Sequence, residues 1–268
     1  MRRRYGWIPD YNQTPIAATP LESLPKRVDL RGFAPVVYDQ GRLATSTAQA
    51  LACVIQMMQK KEHVQTWIPS RLFIDYNQRQ RGKSVVPSKP YFNATLSELK
   101  LLTFRRRGIL LAGDQGCMLS DGVASLMTDG ICPESLWNPI HLTDVPPESV
   151  YAAASAHKAV FERLPRNLNV IKSYLVNGYP IVFGFAAYSS FENEKTVVSG
   201  IVNLPKSNEI LIGGHAGVLL TYDDTYQRFM VRNSMGKSWG MSGNFTIPYS
   251  YLMNTNLSDD FWAIKSVS

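Results

Sequence analysis

The fold of this chain is indicated most strongly by residues 35–48, which read PVVYDQGRLATSTA. A glycine-containing turn passes there into apolar residues at the helical spacing, namely Ala48, Leu51, Ala52, Ile55 and Met58. The pattern predicts a long helix over 45–60 that begins beside Ser46. At a helix N-terminus the backbone N–H groups and the helix dipole stabilise negative charge. Ser46 is therefore the first candidate for a functional residue.

Two later segments supply a histidine and an amide. Residues 213–218 read GGHAGV and place His215 at the start of a predicted strand. Residues 232–240 read RNSMGKSWG and contain Asn233. A histidine base, an amide that orients it and a nucleophile at a helix N-terminus are the parts of an acyl-transfer site, and a side-chain amide from Gln40 would complete its oxyanion hole. The candidate catalytic residues are Ser46, at the nucleophile position, His215, Asn233 and Gln40.

The order of the predicted elements indicates an α+β fold with two segregated lobes. Helical patterns come first, over 45–60, from residue 71 onwards, and over 96–104, 119–129 and 150–161. β-rich patterns follow over 179–185, 216–222, 228–233, 243–247 and 261–264. We expect an extended N-terminal arm over 1–26, a helical lobe over 27–145 and an antiparallel β-barrel-like lobe over 146–268. The site would lie in the cleft between the lobes.

Across nearly its whole length the chain resembles the papain-like cysteine peptidases. The resemblance rests on the three segments above and on GWIPD at 6–10, LPKRVDLR at 24–31, PSRLFIDYN at 69–77, GICPE at 130–134 and DFWAI at 260–264. These segments are similar to the compact, intracellular branch of the family, which occurs in bacteria, archaea and large DNA viruses. The resemblance implies the papain-like bilobal fold, Cys–His–Asn chemistry without a cofactor, and no long inhibitory propeptide.

The nucleophile segment departs from the family pattern. That pattern is Gln-Gly-x-x-Gly-Ser-Cys, whereas residues 40–46 read QGRLATS, so Ser46 stands at the position of the catalytic cysteine. The family nucleophile is a thiolate whose pKa is lowered by the helix N-terminus and the histidine, and a serine hydroxyl forms no such resting ion pair. Ala44 and Thr45 depart as well. Met235 stands where the family usually has a tryptophan that shields the His–Asn hydrogen bond from water.

Three interpretations of Ser46 remain open. The first is a natural pseudopeptidase, a catalytically inactive homologue that acts as a binding or structural component, with a peptide or protein in its cleft or a place in a larger assembly such as a virus capsid. The second is an active papain-type cysteine peptidase in which an experimenter replaced the cysteine. The third is a serine-nucleophile hydrolase. An engineered change would leave the rest of the site intact, so the four departures together favour the pseudopeptidase.

The cysteine and histidine content indicates a reducing compartment and no metal site. The three cysteines, Cys53, Cys117 and Cys132, are too few for a disulfide framework and are interpreted as structural. Cys53 lies seven residues beyond Ser46, about 10 Å deeper along the helix axis, so it cannot replace the nucleophile. The sequence contains neither CxxC nor HExxH, and no metal or cofactor is expected.

The charge and hydropathy of the sequence limit which binding partners and which cellular locations are expected. The net charge of +7 favours an anionic neighbour only weakly. The basic clusters Arg2–Arg4 and Arg105–Arg107 lack interleaved aromatic residues, so nucleic acid is not an expected partner. Because no long apolar run is present, we expect no membrane span and no signal peptide, and a location in the cytoplasm or a virion. Tyr5, Trp7 and Ile8 are expected to anchor the arm on the protein's own surface or on a neighbouring chain.

Overall fold

The computed structural model describes residues 4–10, 13–82 and 116–268. The helix predicted over 96–104 and the cluster Arg105–Arg107 lie outside these residues, as do Arg2 and Arg3. Within the described ranges, no helix is long and apolar enough to cross a membrane.

In the part of the first half that the structure describes, three helices pack together. They are α1 (Ser46–Lys61), α2 (Arg71–Gly82) and α3 (Leu119–Thr128). Most of α1 is buried because it packs on the other two helices and also on the sheet. α3 approaches α1 closely at Gly122, where a Cβ atom would lie 2.4 Å from Leu51 Cδ1. This packing fixes the N-terminus of α1, and Ser46 with it, beside the strands.

The second half is built on one antiparallel sheet of seven strands. The strands are β1 (Arg27–Asp29), β2 (Ala159–Arg163), β3 (Ile181–Tyr188), β4 (Leu211–Asp223), β5 (Arg228–Arg232), β6 (Asn244–Pro248) and β7 (Ser258–Val267). Their order is β2-β7-β3-β4-β5-β6, and β1 pairs with the end of β4. The connections contain α4 (Glu148–Ala154), α5 (Leu168–Val176), α6 (Glu194–Ser199), α7 (Tyr249–Met253) and short 3-10 turns at Arg31–Phe33 and Ser189–Glu192.

The pairing of β3, β4 and β5 positions the candidate histidine and its amide. Phe185 of β3 pairs with His215 of β4, which places the histidine inside the sheet. β5 runs along the other edge of β4 and ends at Arg232, directly before Asn233. The same apolar core continues from these strands to α1, so the sheet and the nucleophile helix form one packed unit.

The predicted α+β class is confirmed, and two boundaries need correction. Residues 27–29, assigned to the helical lobe, form β1, because their backbone pairs with residues 221–223 of β4. The single helix predicted over 150–161 is wrong in its second half, where Ala159–Arg163 forms β2. Ala159 and Phe161 are buried there and Val160 is exposed, and this alternation suits pairing with β7 rather than a helix.

Candidate active site

His215 and Asn233 form a buried hydrogen-bonded pair. His215 Nε2 lies 2.8 Å from Asn233 Oδ1, and neither side chain is open to solvent. An amide oxygen only accepts, so Nε2 carries a proton in this bond and Nδ1 is left toward the rest of the site. The backbone N–H of Ser234 donates to the same Oδ1 at 2.8 Å, which fixes the orientation of the amide. The pair therefore has the arrangement expected of an oriented histidine base.

Aromatic side chains enclose the imidazole although residue 235 is methionine. The ring of His215 lies 5.4 Å from that of Phe185, 5.7 Å from that of Phe191 and 5.4 Å from that of Tyr5, which meets it edge-on. Met235 is itself buried. Asn233 Nδ2, however, is buried and has no hydrogen-bond partner among the described residues. The His–Asn bond is thus shielded by repacking, and the amide keeps one unsatisfied donor.

Ser46 is the first residue of α1 and is completely buried. Its Oγ has no hydrogen-bond partner within the described part of the chain. Farther along α1, a water-sized cavity is lined by Gln49 and Cys53 of this helix and by Asn233. The start of α1 therefore faces the strands that carry the histidine pair, while direct contact between Ser46 Oγ and His215 stays a prediction.

The side chain of Gln40 lies close to the His215–Asn233 pair, but its amide nitrogen already donates two hydrogen bonds. Gln40 Nε2 donates to Leu43 O at 2.7 Å and to Arg4 O at 3.3 Å. Its Oε1 accepts from Ser234 Oγ at 2.5 Å, next to Asn233 in the chain. An oxyanion donor has to point its N–H at the developing charge. In this structure both hydrogen bonds of the Gln40 amide nitrogen go to backbone carbonyls instead.

Residues 4–10, named here the cleft segment, run between the two walls of the site. Trp7 N donates to Gly214 O at 2.8 Å on the histidine wall. On the opposite wall, Cys117 N donates to Gly6 O at 2.6 Å and Ile8 N donates to Cys117 O at 3.0 Å. The segment is thus held by backbone bonds on both sides, in the way an added strand is held by a sheet edge.

The side chains and glycines of the cleft segment explain how it fits. Tyr5 and Trp7 are each 2% exposed, and Tyr5 Oη donates to Glu192 at 2.8 Å. Gly6 passes so near the nucleophile loop that a Cβ atom would lie 1.8 Å from Ala44 O. The expectation that the arm packs on the protein's own surface is confirmed, with Tyr5 and Trp7 as its buried anchors and Ile8 only half-buried.

A buried ion pair holds the far end of the cleft segment. Asp260 Oδ2 accepts from Trp7 Nε1 at 2.9 Å and from Asp10 N at 3.1 Å, and its Oδ1 accepts from Arg163 Nη2 at 2.9 Å. Burial raises the pKa of Asp260 to about 7, and this effect outweighs the lowering by Arg163. In the sequence, Asp260 stands out only as part of the family-like segment 260–264, and neither Arg163 nor Cys117 belongs to a segment that indicates a contact with residues 4–10.

Two of the buried cysteines, Cys53 and Cys132, are poorly suited to act as a second nucleophile. Cys53 is buried in the core, and burial raises the pKa of its thiol to about 12. Burial likewise raises the pKa of Cys132 to about 11. Among the described residues, no group of three or more His, Cys, Asp or Glu side chains is arranged to hold a metal ion.

Comparison with known proteins places this chain and its fold in a family. The chain is 33% identical, over 242 residues, to an uncharacterised peptidase C1-like protein of Acanthamoeba polyphaga mimivirus, spanning 86% of this chain and 70% of the relative. It is also 33% identical to xylellain, a cysteine protease from Xylella fastidiosa, whose crystal structure superposes with a TM-score of 0.81 over 100% of this chain and 99% of xylellain. The chain therefore belongs to the papain-like cysteine peptidase family.

More distant structures agree on the fold. Procathepsin B S9 from Trypanosoma congolense superposes with a TM-score of 0.69 at 15% identity, over 98% of this chain and 85% of the procathepsin. At that identity the likeness concerns the fold alone. No family model matches the sequence.

Proposed function

We propose that this protein is a non-catalytic member of its family that binds an extended polypeptide in the cleft. The observation that carries the proposal is the state of Ser46, whose hydroxyl is buried and has no hydrogen-bond partner among the described residues. A serine nucleophile needs a base within hydrogen-bond reach to lose its proton in the attack. The buried hydroxyl therefore gives no support to a serine hydrolase.

The oxyanion donor supports the same proposal. The short bond from Gln40 Nε2 to Leu43 O lies within the nucleophile loop itself, so it does not depend on the cleft segment. Removing one oxyanion donor in other hydrolases costs about 10²–10³ in kcat. A cysteine restored at residue 46 would thus meet an oriented histidine and a misdirected oxyanion donor.

The backbone groups of the cleft support binding. The N–H and C=O groups of Cys117 and the C=O group of Gly214 already hold an extended chain, the cleft segment. These groups recognise main chain rather than particular side chains. A place in a virus particle or another large assembly, and a location in the cytoplasm, stay predictions from the sequence; the similarity to a mimivirus protein supports a viral setting.

The test measures peptidase turnover of four full-length proteins on a fluorogenic peptide library. The proteins are the chain as it stands, Ser46→Cys, Ser46→Cys with Trp7→Ala to release the cleft segment, and Ser46→Cys with His215→Ala as the background control. We expect turnover no greater than that of the control in all of them. In the Ser46→Cys, Trp7→Ala protein, where the segment over the site is released, the thiol at residue 46 should titrate no lower than the free value of about 8.5 when its iodoacetamide labelling is followed against pH.

Each contrary result has a distinct meaning. Turnover by Ser46→Cys above the control, with a thiol pKa well below the free value, would replace the proposal by an ordinary cysteine peptidase with a changed nucleophile. Turnover only in the Ser46→Cys, Trp7→Ala protein would indicate a peptidase that the cleft segment inhibits. Turnover by the unchanged chain, stopped by a serine-directed phosphonate, would establish a serine hydrolase.

A further inference from the structure

We propose that the cleft segment is an exchangeable internal ligand, and that Asp260 selects an external polypeptide with tryptophan at the place of Trp7. This inference rests on the proposed polypeptide-binding function and names the chemistry of the partner. The partner is an extended segment that carries glycine followed by tryptophan. It would displace residues 4–10 and take over their hydrogen bonds.

The pocket that holds the indole of Trp7, called the indole pocket, is the part of the cleft that recognises a side chain. Trp7 is almost fully buried, and its ring lies against Gly184, where a Cβ atom would come within 1.9 Å of the indole. At the end of the pocket Asp260 Oδ2 accepts from the indole N–H at 2.9 Å. A charge-assisted hydrogen bond is stronger than a neutral one and is lost with any ring that has no N–H. The pocket therefore distinguishes tryptophan from other aromatic residues.

Two features outside the cleft segment, its own backbone and Arg163, also fix the position of Asp260. Its backbone has a positive φ of 58°, a conformation that few residues other than glycine, asparagine and aspartate adopt readily. Arg163, itself buried, pairs with Oδ1 at 2.9 Å and leaves Oδ2 directed at the indole. The carboxylate is thus pre-organised, so the binding of a tryptophan needs little free energy to orient it.

The way the cleft segment is held makes it replaceable. Its contacts with Cys117 form an isolated bridge and not a strand of the sheet. Its main-chain bonds to Gly214 and Cys117 are ones that any extended peptide can form. A segment on a short tether has an effective concentration of the order of millimolar. An external peptide therefore competes poorly with the intact segment and binds well once Trp7 is removed.

The test uses full-length proteins and a fluorescein-labelled heptapeptide with the sequence of residues 4–10, RYGWIPD. Amide hydrogen exchange first establishes release: the Cys117 N–H, which donates to Gly6 O, should exchange at least tenfold faster in Trp7→Ala than in the unchanged chain. Trp67→Ala, which removes a half-buried tryptophan packed on His157 instead, serves as the matched control and should leave this rate unchanged.

Fluorescence anisotropy then measures binding of the heptapeptide. We expect Trp7→Ala to bind it at least tenfold more tightly than the unchanged chain and Trp67→Ala do. A second peptide carries 3-benzothienylalanine in place of tryptophan, a ring of the same shape with sulfur instead of N–H. It should bind Trp7→Ala about 10–100-fold more weakly, the equivalent of one hydrogen bond to a charged group.

The double variant Trp7→Ala, Asp260→Asn assigns that preference to the carboxylate. Asparagine tolerates the positive φ and keeps the size of the side chain, but it has one oxygen for two donors, Arg163 and the indole N–H. The indole therefore meets either a weaker, neutral acceptor or an NH2 group that cannot accept. The preference for the indole peptide should fall at least threefold. Should this variant not fold, the comparison of the two peptides on Trp7→Ala still decides whether the indole N–H is recognised.

Three outcomes would overturn the inference: no binding of the heptapeptide to Trp7→Ala, equal affinity for the two peptides, or an indole preference that Asp260→Asn leaves intact. Cleavage of the heptapeptide, seen by mass spectrometry, would instead contradict the non-catalytic function and leave the role of Asp260 standing. The two proposals therefore fail in different measurements.

Discussion

Replacing Arg163 with methionine should lower the free energy of unfolding by about 3–5 kcal/mol at pH 8, because it removes the buried cation beside Asp260 and leaves two backbone carbonyls of the arm without their donor. Arg163 is 6% exposed and donates to Asp260 Oδ1 at 2.9 Å. It also donates to Asp10 O at 2.7 Å and to Gln13 O at 2.6 Å, so one side chain ties the arm to the sheet. Methionine fills similar volume but provides no charge or donor. Urea unfolding followed by circular dichroism measures the loss.

The loss of unfolding free energy in Arg163→Met should be larger at high pH than at low pH. Burial raises the pKa of Asp260 to about 7, above the value of about 3.9 for an unfolded aspartate. The folded state therefore binds this proton more tightly, and its contribution to stability is present below pH 4 and is lost as the pH rises to about 7. Arg163 lowers this pKa, whereas the neighbouring Asp259 raises it. Without Arg163 the carboxyl stays protonated to higher pH, so the loss should be about 1 kcal/mol larger at pH 8 than at pH 5. The remaining loss, from the missing bonds to Asp10 O and Gln13 O, should be present at both pH values.

An exposed ion pair gives the matched control for this prediction. Arg31 pairs with Asp29 at 2.6 Å, but both side chains are about half exposed. Exposed pairs contribute about 0–1 kcal/mol. Arg31→Met should therefore cost under 1 kcal/mol at either pH. A loss in Arg163→Met no larger than in Arg31→Met at pH 8 would show that the buried pair does not stabilise the fold.

Gly130→Ala should lower the free energy of unfolding by about 3 kcal/mol or more, because it combines backbone strain with a steric clash. Gly130 has a φ of +91°, and a Cβ atom would lie 2.0 Å from Ala154 O. That carbonyl cannot simply move away, since it accepts from Ile131 N at 3.0 Å and closes the end of α4 onto the segment after α3. The midpoint of urea unfolding reports the change.

Gly32→Ala is the control for the glycine substitution. No atom lies within 4 Å of a Cβ built on Gly32. Its stability should change by less than about 1 kcal/mol, as for most surface substitutions. If Gly130→Ala and Gly32→Ala unfold at the same urea concentration, the contact between Gly130 and α4 is not as close as the structure indicates.

The fold was largely predictable because its main elements carry regular local patterns. The apolar spacing in α1 and the β-rich stretches of β3 and β5 predict these elements within three residues. β4 begins at Leu211, five residues before its predicted start, so His215 lies inside the strand rather than at its beginning. α5 was missed because its nine residues are too short to stand out by periodicity. A signal for it exists in Asn167, whose side chain accepts from the N–H groups of Asn169 and Val170 as a helix cap.

The site was predictable only where its residues belong to sequence motifs. His215 and Asn233 lie in recognisable segments, and the structure joins them by a hydrogen bond. Asp260 and Arg163 are 97 positions apart in the sequence, so no local pattern predicts that they pair. The direction of the Gln40 amide depends on the carbonyl of Leu43, which composition and spacing do not reveal.

The fit of Gly6 against Ala44 O has a consequence for how this protein can change over generations. A glycine codon that mutates at its first or second base always encodes a larger residue or a stop, and any larger residue would place an atom 1.8 Å from that carbonyl. Every amino-acid replacement at residue 6 therefore displaces the cleft segment from the cleft, and no replacement has only a small effect on its position. Natural isolates whose function needs the cleft segment in place should keep glycine at residue 6. Lineages that lose this glycine should also show relaxed selection on Trp7.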